Sequence, residues 1–271
     1  MIKLIDLLKA CNVQIDINSY KIHLATTPTS GDSPLLAFFD NRFKGWQEHQ
    51  TKRNFQCNQI ISLIRTGKEK WMFAGVYKVL GYKKIKDKHF QYNTELIDNQ
   101  EKLIGRVIVQ HKRTGRQAYL LGKESSGEFR VCETKEKRLS IEKFPGYNST
   151  VIQYEKLKTV IKQRVDTWYG ALSNVKGIYL ITDTLAGDHY VGSAIGNDGI
   201  WQRWCNYVKS GHGGNKLLIQ LLKTNGKAYC KNFQFSILEI ADSHASDDFI
   251  RARESHWKKS LKTKDFGLNA N

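Results

Sequence analysis

Two tyrosines, Tyr179 and Tyr190, lie eleven residues apart in short glycine-flanked apolar runs, GIYLIT and HYVGSA. A phenol can donate or accept one hydrogen bond and orient a proton, and two aromatics on facing strands can equally be packing. Arg203 follows in IWQRWCNYVK, one helical turn before Tyr207, so the two side chains share a face. An arginine on an exposed helix is ordinarily a solvated charge, and one turned toward a site can grip an oxyanion through paired donors. His212 sits in GHGGNKL, where a histidine beside glycines is more often a loop residue than a catalyst. Glu254 is the acidic residue at the centre of the last helical segment, flanked at i−4, i+3 and i+7 by Ile250, Trp257 and Leu261. A carboxylate at the border of an apolar face needs a partner. A divalent cation is one candidate, and an ion pair with Arg251 or Lys258 is the other. Asn269 closes the series in GLN.

The elements that must carry these groups are legible from period and punctuation. GIYLIT and HYVGSA read as two strands joined by a DTLAGD turn, with Gly187 and Asp188 at the bend. Residues 200–209 and 215–224 read as helices, 232–240 as a strand, and 246–261 as a third helix. Ser246 is its expected N-cap, and Asp247 and Asp248 suit the positive end of the helix dipole. The order β-β-α-α-β-α is an α+β arrangement, a small antiparallel sheet flanked by helices.

GIY at 177–179, YVG at 190–192, Arg203, His212, Glu254 and Asn269 occur in the order of the GIY-YIG nuclease family, and residues 176–269 resemble that family throughout. The resemblance implies a metal-dependent endonuclease that hydrolyses DNA phosphodiester bonds, leaving 5′-phosphate and 3′-hydroxyl ends. It implies that Arg203 grips the scissile phosphate and that Glu254 holds Mg2+ or Mn2+. Such chemistry needs a deprotonated water, stabilised phosphoryl charge and help for the departing oxygen. On this reading Tyr179 is the preferred base or water-orienting group, with the metal lowering its pKa. Tyr190 and His212 position water or phosphate, and Asn269 fixes a backbone or phosphate contact. The chain departs from several relatives at Tyr207, where they carry a histidine. A tyrosine, with a free pKa near about 10, is a poor base unless shifted, so the proton-transfer assignment stays open.

The remaining chain supplies most of the charge. The net charge of the 271 residues is +17, and residues 1–170 hold 30 Lys and Arg against 17 Asp and Glu. Residues 171–271 hold 13 against 9. A field of that sign points to an anionic partner, most often nucleic acid, which the resemblance makes double-stranded DNA, with Arg106, Lys112, Arg113, Arg116 and Lys216 as candidate contacts. We therefore expect a basic recognition domain over 1–170 and a nuclease domain over 171–271. MIKLIDLLKACNVQ reads as a short amphipathic helix, and residues 20–34 as a polar connection with Pro28, Gly31 and Pro34. Phe43 to Gly67 mixes helical spacing with charge. WMFAGVYKV (71–79), LIGRVIVQH (103–111), RQAYLLG (116–122) and EFRVCET (128–134) read as strands, the middle two flanking a KRTG turn. They suggest a small barrel or curled sheet over about 71–141, with a faint similarity to PUA-like domains. Trp71, Phe73, Tyr77, Tyr82, Phe90 and Tyr92 could stack on bases or fill that core. A helix over 154–165 follows.

No apolar run approaches the roughly 20 residues of a membrane span, and the five scattered cysteines suit reduced thiols in a cytoplasmic protein. Phosphate-loop, HExxH and GxSxG patterns are missing. By analogy the role is restriction or host defence, with homodimerisation one route to breaking both strands. A non-catalytic reader of modified bases or RNA, a repair nuclease and an RNA-cleaving enzyme are the alternatives.

Overall fold

Apolar strands in the first half of the chain curl into one sheet, and those in the second half form a smaller one. The computed structural model describes residues 1–28, 32–86 and 89–270. It divides into two units, Met1–Ser140 and Ile141–Asn271.

In the first unit the described strands are β1 (Tyr20–Ala25), β2 (His49–Gln50), β3 (Gln59–Gly67), β4 (Lys70–Lys86), β5 (His89–Leu96), β6 (Val107–Gln110), β7 (Tyr119–Leu121) and β8 (Arg130–Thr134). Their order is β2-β5-β4-β3-β1-β7, with β6 pairing both β4 and β8. The β1/β3 pair is parallel. Register shifts on both sides of β4, at Val79/Gly81 against β5 and opposite Ser62/Leu63 of β3, bend the sheet. Helices α1 (Leu4–Ala10), α2 (Pro34–Phe39), α3 (Phe43–Glu48) and α4 (Gly122–Ser125) accompany it. The core includes Leu8, Ile22, Leu63, Trp71, Phe73 and Val107, all buried. Each such side chain contributes about 1.5–3 kcal/mol.

Three expectations for this unit change. The stretch 20–34 was expected to be a polar connection, yet Tyr20–Ala25 is a fully buried strand. Tyr20, Ile22 and Leu24 alternate with Lys21 and His23, and Lys21 is accommodated by donating its Nζ to the Asn54 carbonyl at 2.9 Å. Residues 29–31 of that connection lie outside the described residues. The helical spacing over 43–67 holds only for α3, because Ile60, Ile61, Leu63 and Ile64 are buried in a strand with neighbours on both sides. A strand covered on both faces reads as a continuous apolar run, without alternation. Finally, β6 and β7 do not pair across the KRTG turn: β6 joins β4 and β8, and β7 joins β1. Of the aromatics, Trp71, Phe73, Tyr77 and Tyr92 are core, while Tyr82 is 42% exposed with the Arg53 guanidinium 5.6 Å from its ring.

The second unit carries the four-stranded antiparallel sheet β11-β10-β12-β9, formed by β9 (Val151–Gln153), β10 (Val175–Asp183), β11 (His189–Ala194) and β12 (Phe233–Asp242). Helices α5 (Tyr154–Lys162), α6 (Asp166–Leu172), α7 (Gly199–Ser210), α8 (Lys216–Asn225) and α9 (Asp247–Ser260) surround it. Ser246 caps α9 as expected, its hydroxyl accepting from Phe249 N at 3.2 Å. The division at Ser140 lies ahead of the 170/171 boundary drawn from the sequence. The reason is local, since β9 pairs with β12 and Tyr154 donates its hydroxyl to the Val208 carbonyl at 3.1 Å. On this division the first unit has a net charge of +11 and the second +6. Among the described residues no helix is long and apolar enough to cross a membrane.

Candidate active site

The sheet of the second unit is covered on both faces, and alternation along β10 sends its side chains to two different cores. Tyr179 and Phe235 face α7, where they meet Trp204 and Tyr207 edge-on. Ile178 and Val191 face α9 and pack on Ile250. β11 is an edge strand, so groups from opposite sides of the sheet can converge around it.

Tyr179 is fully buried. It lies opposite Gly192 on β11. A Cβ on Gly192 would stand 2.4 Å from the Tyr179 ring, so the YVG glycine is the space the phenol occupies. Gly177 is equally constrained, because its Cβ would fall 2.3 Å from the Glu239 carbonyl oxygen. A register shift between Ile178 and Tyr179 against β12 sets the tyrosine's direction. Its hydroxyl accepts from Arg203 Nε at 3.0 Å and pairs with the Tyr207 hydroxyl at 3.0 Å. Burial pushes the Tyr179 phenol well above its ordinary pKa, with the neighbouring Tyr190 adding to the shift. Burial does the same to Tyr207.

Those facts set Tyr179 behind Arg203 and count against the expectation that it is the base or water-orienting group. Its hydroxyl has no solvent exposure, favours the protonated form and is committed to Arg203 and Tyr207. The Tyr207 departure has the same outcome: that phenol completes the hydrogen-bonded pair behind Arg203 and does not reach the cleft.

Arg203 reaches forward from this buried pair. It is half-buried on α7, its Nε is held by Tyr179, and its Cζ lies 5.5 Å from the Tyr207 ring centroid. Burial works against its charge, and the tyrosine oxygens around it more than offset that, so it remains a cation. Among the described residues its two terminal nitrogens have no protein partner and are free to donate.

Arg203 borders a cleft of about 470 Å³ that is also lined by Tyr190, Lys216, Glu254, Lys258 and Asn269. Glu254 arrives from α9. Its Oε2 accepts from the Ser193 hydroxyl of β11, and its Oε1 pairs with Lys258 Nζ at 2.8 Å. The alternative foreseen for this carboxylate, an ion pair with Lys258, is therefore present. Helix α9 is itself anchored by Glu239 of β12, which takes Arg253 at 2.7 and 2.8 Å and the Trp257 indole at 2.7 Å. Tyr190 projects to the cleft from the edge strand and, among the described residues, is the tyrosine that lines it.

Asn269 has a structural task. Its side-chain amide accepts from Val191 N and donates to Val191 O, both at 2.9 Å. It thereby satisfies the outward backbone groups of the edge strand, as a further strand would. His212 is not among the residues that line the cleft; its Nδ1 accepts from Gly214 N at 3.0 Å and shapes the loop between α7 and α8. His212 thus stands next to the cleft residues Gly213 and Gly214, with Nδ1 holding its own turn.

The basic residues named from the first unit separate. Lys112, Arg113 and Arg116 border one cleft there. Arg106 stands apart, half-buried, donating its Nε to the Lys135 carbonyl at 2.8 Å. Sequence reasoning missed Ser193, whose signal is its position two residues beyond Val191 on the same strand face.

Among the described residues no group of three or more His, Cys, Asp or Glu side chains is gathered to hold a metal. What exists is one carboxylate beside a hydroxyl. That set fits a magnesium-type ion, which keeps several waters and binds through one or two carboxylates plus substrate phosphate.

No family model matches the chain, and no curated protein matches it significantly. Among solved structures, the catalytic domain of the homing endonuclease I-TevI is similar at 32% identity, over 35% of this chain and 98% of that domain, with a TM-score of 0.29. A mutant of the catalytic domain of the intron endonuclease I-TevI is similar at 31% identity, over 36% of this chain and 94% of its own, also with a TM-score of 0.29.

Proposed function

We propose that the second unit is a metal-dependent endonuclease module of the GIY-YIG type acting on duplex DNA, and that the first unit supplies binding to the target. The observation that carries this reading is the convergence of Arg203, Tyr190 and Glu254, from three separate elements, on one cleft. The ordered motif residues give it independent support.

Arg203 binds a non-bridging oxygen of the scissile phosphate with its free terminal nitrogens and stabilises the charge that grows there in the transition state. Tyr179 and Tyr207 act behind it as positioning residues, fixing the guanidinium through Nε and beneath its plane. Tyr190 orients the attacking water through its hydroxyl. Glu254 would hold the divalent cation, with Ser193 orienting the carboxylate. When bound, the ion supplies charge neutralisation at the phosphate and help for the leaving 3′ oxygen. Lys216 and Lys258 add positive charge at the cleft for the flanking backbone.

Purified protein incubated with supercoiled plasmid and Mg2+ tests the reading, with Glu254→Ala and Arg203→Ala alongside. Nicked or linear product from the parent and a large loss in both variants is the expected result. Cutting that persists unchanged in Glu254→Ala removes the metal assignment. Binding without cutting of any modified or unmodified DNA or RNA favours the non-catalytic reader. Sequencing the ends cut from differently modified genomic DNAs tests a use in restriction.

A further inference from the structure

A second basic cleft, of about 550 Å³, lies wholly within the first unit. Arg65 and Lys68 reach it from β3 and the turn that follows, and Lys112, Arg113 and Arg116 from the segment after β6. Five cations thus meet from two segments more than 40 residues apart, with Glu69 as the one carboxylate among the lining residues. Among the described residues none of the five is in an ion pair, although Arg65 donates weakly to the Gly67 carbonyl at 3.4 Å. Like charges held this close repel one another, and Arg65 lowers the pKa of Arg113, second to the effect of burial. An arrangement that costs stability without a partner suits an anion that completes it.

Arg113 gives the cleft a fixed cation. Its Nη1 is 3.5 Å from the Thr26 hydroxyl, its Nη2 donates to the Gln117 carbonyl, and its buried Nε has no partner. The two rings of the cleft are turned away from use, and His111 is buried and stacks on Phe129. Trp71 is 1% exposed and its indole donates to the His111 carbonyl at 3.0 Å. No exposed ring therefore offers a face on which a base could stack, and the cleft presents cations and donors without the aromatic platform that reads single strands.

We propose that this cleft binds the phosphodiester backbone of nucleic acid and serves as a sequence-independent anchor, positioning the chain on the duplex without selecting the site. Backbone contacts of this kind fix register and carry the salt dependence of binding, while base contacts specify. The inference rests on the reading that this protein acts on nucleic acid, but not on whether it cuts.

The test uses the full chain with Glu254→Ala to prevent cleavage, and measures affinity for two short duplexes of unrelated sequence across a salt series. The variant carries Arg65→Ser and Arg116→Ser, both exposed side chains. A control carries Lys9→Ser and Lys52→Ser, exposed residues that do not line the cleft. Each lost phosphate contact should flatten the log–log salt slope by about 0.9. The expected result is a slope flatter by about 1.8 on both duplexes, with the control close to the parent. A slope equal to the parent's, a loss confined to one duplex, or an equal loss in the control overturns the anchor. Cutting by the parent chain that survives such a result leaves the nuclease reading standing. Cleft-dependent binding without any cutting leaves the anchor standing and removes the nuclease.

Discussion

Tyr179 and Gly192 face each other across the β10/β11 pair, and the phenol ring fills the volume a glycine Cβ would need. The close approach accounts for a glycine in one signature tripeptide and a tyrosine in the other. Gly192→Ala should force the ring out of place, costing about 1–3 kcal/mol as overpacking does. Thermal unfolding of the variant should show that loss, with nuclease activity falling further than the stability change explains, because Arg203 loses its support. A variant with parental Tm and parental activity would separate the tripeptides from the site.

Tyr179→Phe removes the hydroxyl that receives Arg203 Nε and leaves the ring packing intact. Hydrogen bonds to charged groups contribute about 1.5–3 kcal/mol, so kcat should fall by roughly tenfold or more, and Tm should fall as well because the buried Tyr207 hydroxyl loses its partner. Two further measurements distinguish positioning from proton transfer. Burial holds the Tyr179 pKa above its ordinary value, so Tyr179→Phe should leave the shape of the pH–rate profile unchanged. In a double-mutant cycle, Tyr179→Phe should cost little on top of Arg203→Lys. A lost limb in the pH profile would return the base role to Tyr179.

Lys258 occupies Glu254 at 2.8 Å, where the proposed cation would also have to bind. Lys258→Ala should free the carboxylate and raise its affinity for Mn2+, measured by calorimetry on the Arg203→Ala background so that turnover does not intervene. Unchanged affinity would mean the pair opens at no cost, and no metal binding in either protein would remove Glu254 as its ligand.

In the first unit, His23 is 2% exposed between Trp46 and Phe55, and its Nδ1 has no partner. Burial drives its pKa down to about 4, with a hydrogen bond from the Gln47 side opposing. The unfolded chain binds a proton near about 6.5 while the folded unit stays neutral. Stability is therefore full above that value and is lost as pH falls toward 4. The loss is on the order of 3 kcal/mol. Denaturant melts of the parent and His23→Gln across this window should converge at low pH, and parallel curves would show that His23 titrates normally.

The sequence made the site's cast legible and left its division of labour hidden. Tyr179, Tyr190, Arg203 and Glu254 are separated by runs whose period gives strand, strand, helix and helix, so their elements follow from local pattern. Which phenol lines the cleft does not. Both tyrosines lie on glycine-flanked strands, and only the sheet order β11-β10-β12 makes one central and the other an edge residue. The same gap explains the first unit. There β1 and β3 are read locally as connection and helix because their pairing, parallel and between segments far apart in the chain, leaves no short-range signal.

Asn269 follows from that edge position. Val191 sits on the outer strand, and its outward N–H and carbonyl are both taken by one side-chain amide at 2.9 Å. Asparagine can serve a donor and an acceptor together, whereas aspartate ionised at neutral pH can only accept. Asn269→Asp should keep the Val191 N–H bond but set a carboxylate against the Val191 carbonyl. Asn269→Ala should leave both groups unpaired, at about 1–3 kcal/mol each where water does not replace the amide. The edge strand also carries Tyr190 and Ser193, so both variants should exchange the β11 amides faster and lose activity, with Gln unable to restore it because its longer arm misplaces the amide. If amide exchange at Val191 matches the parent in both variants, the clamp is not what holds the strand, and Asn269 belongs with the groups that contact phosphate.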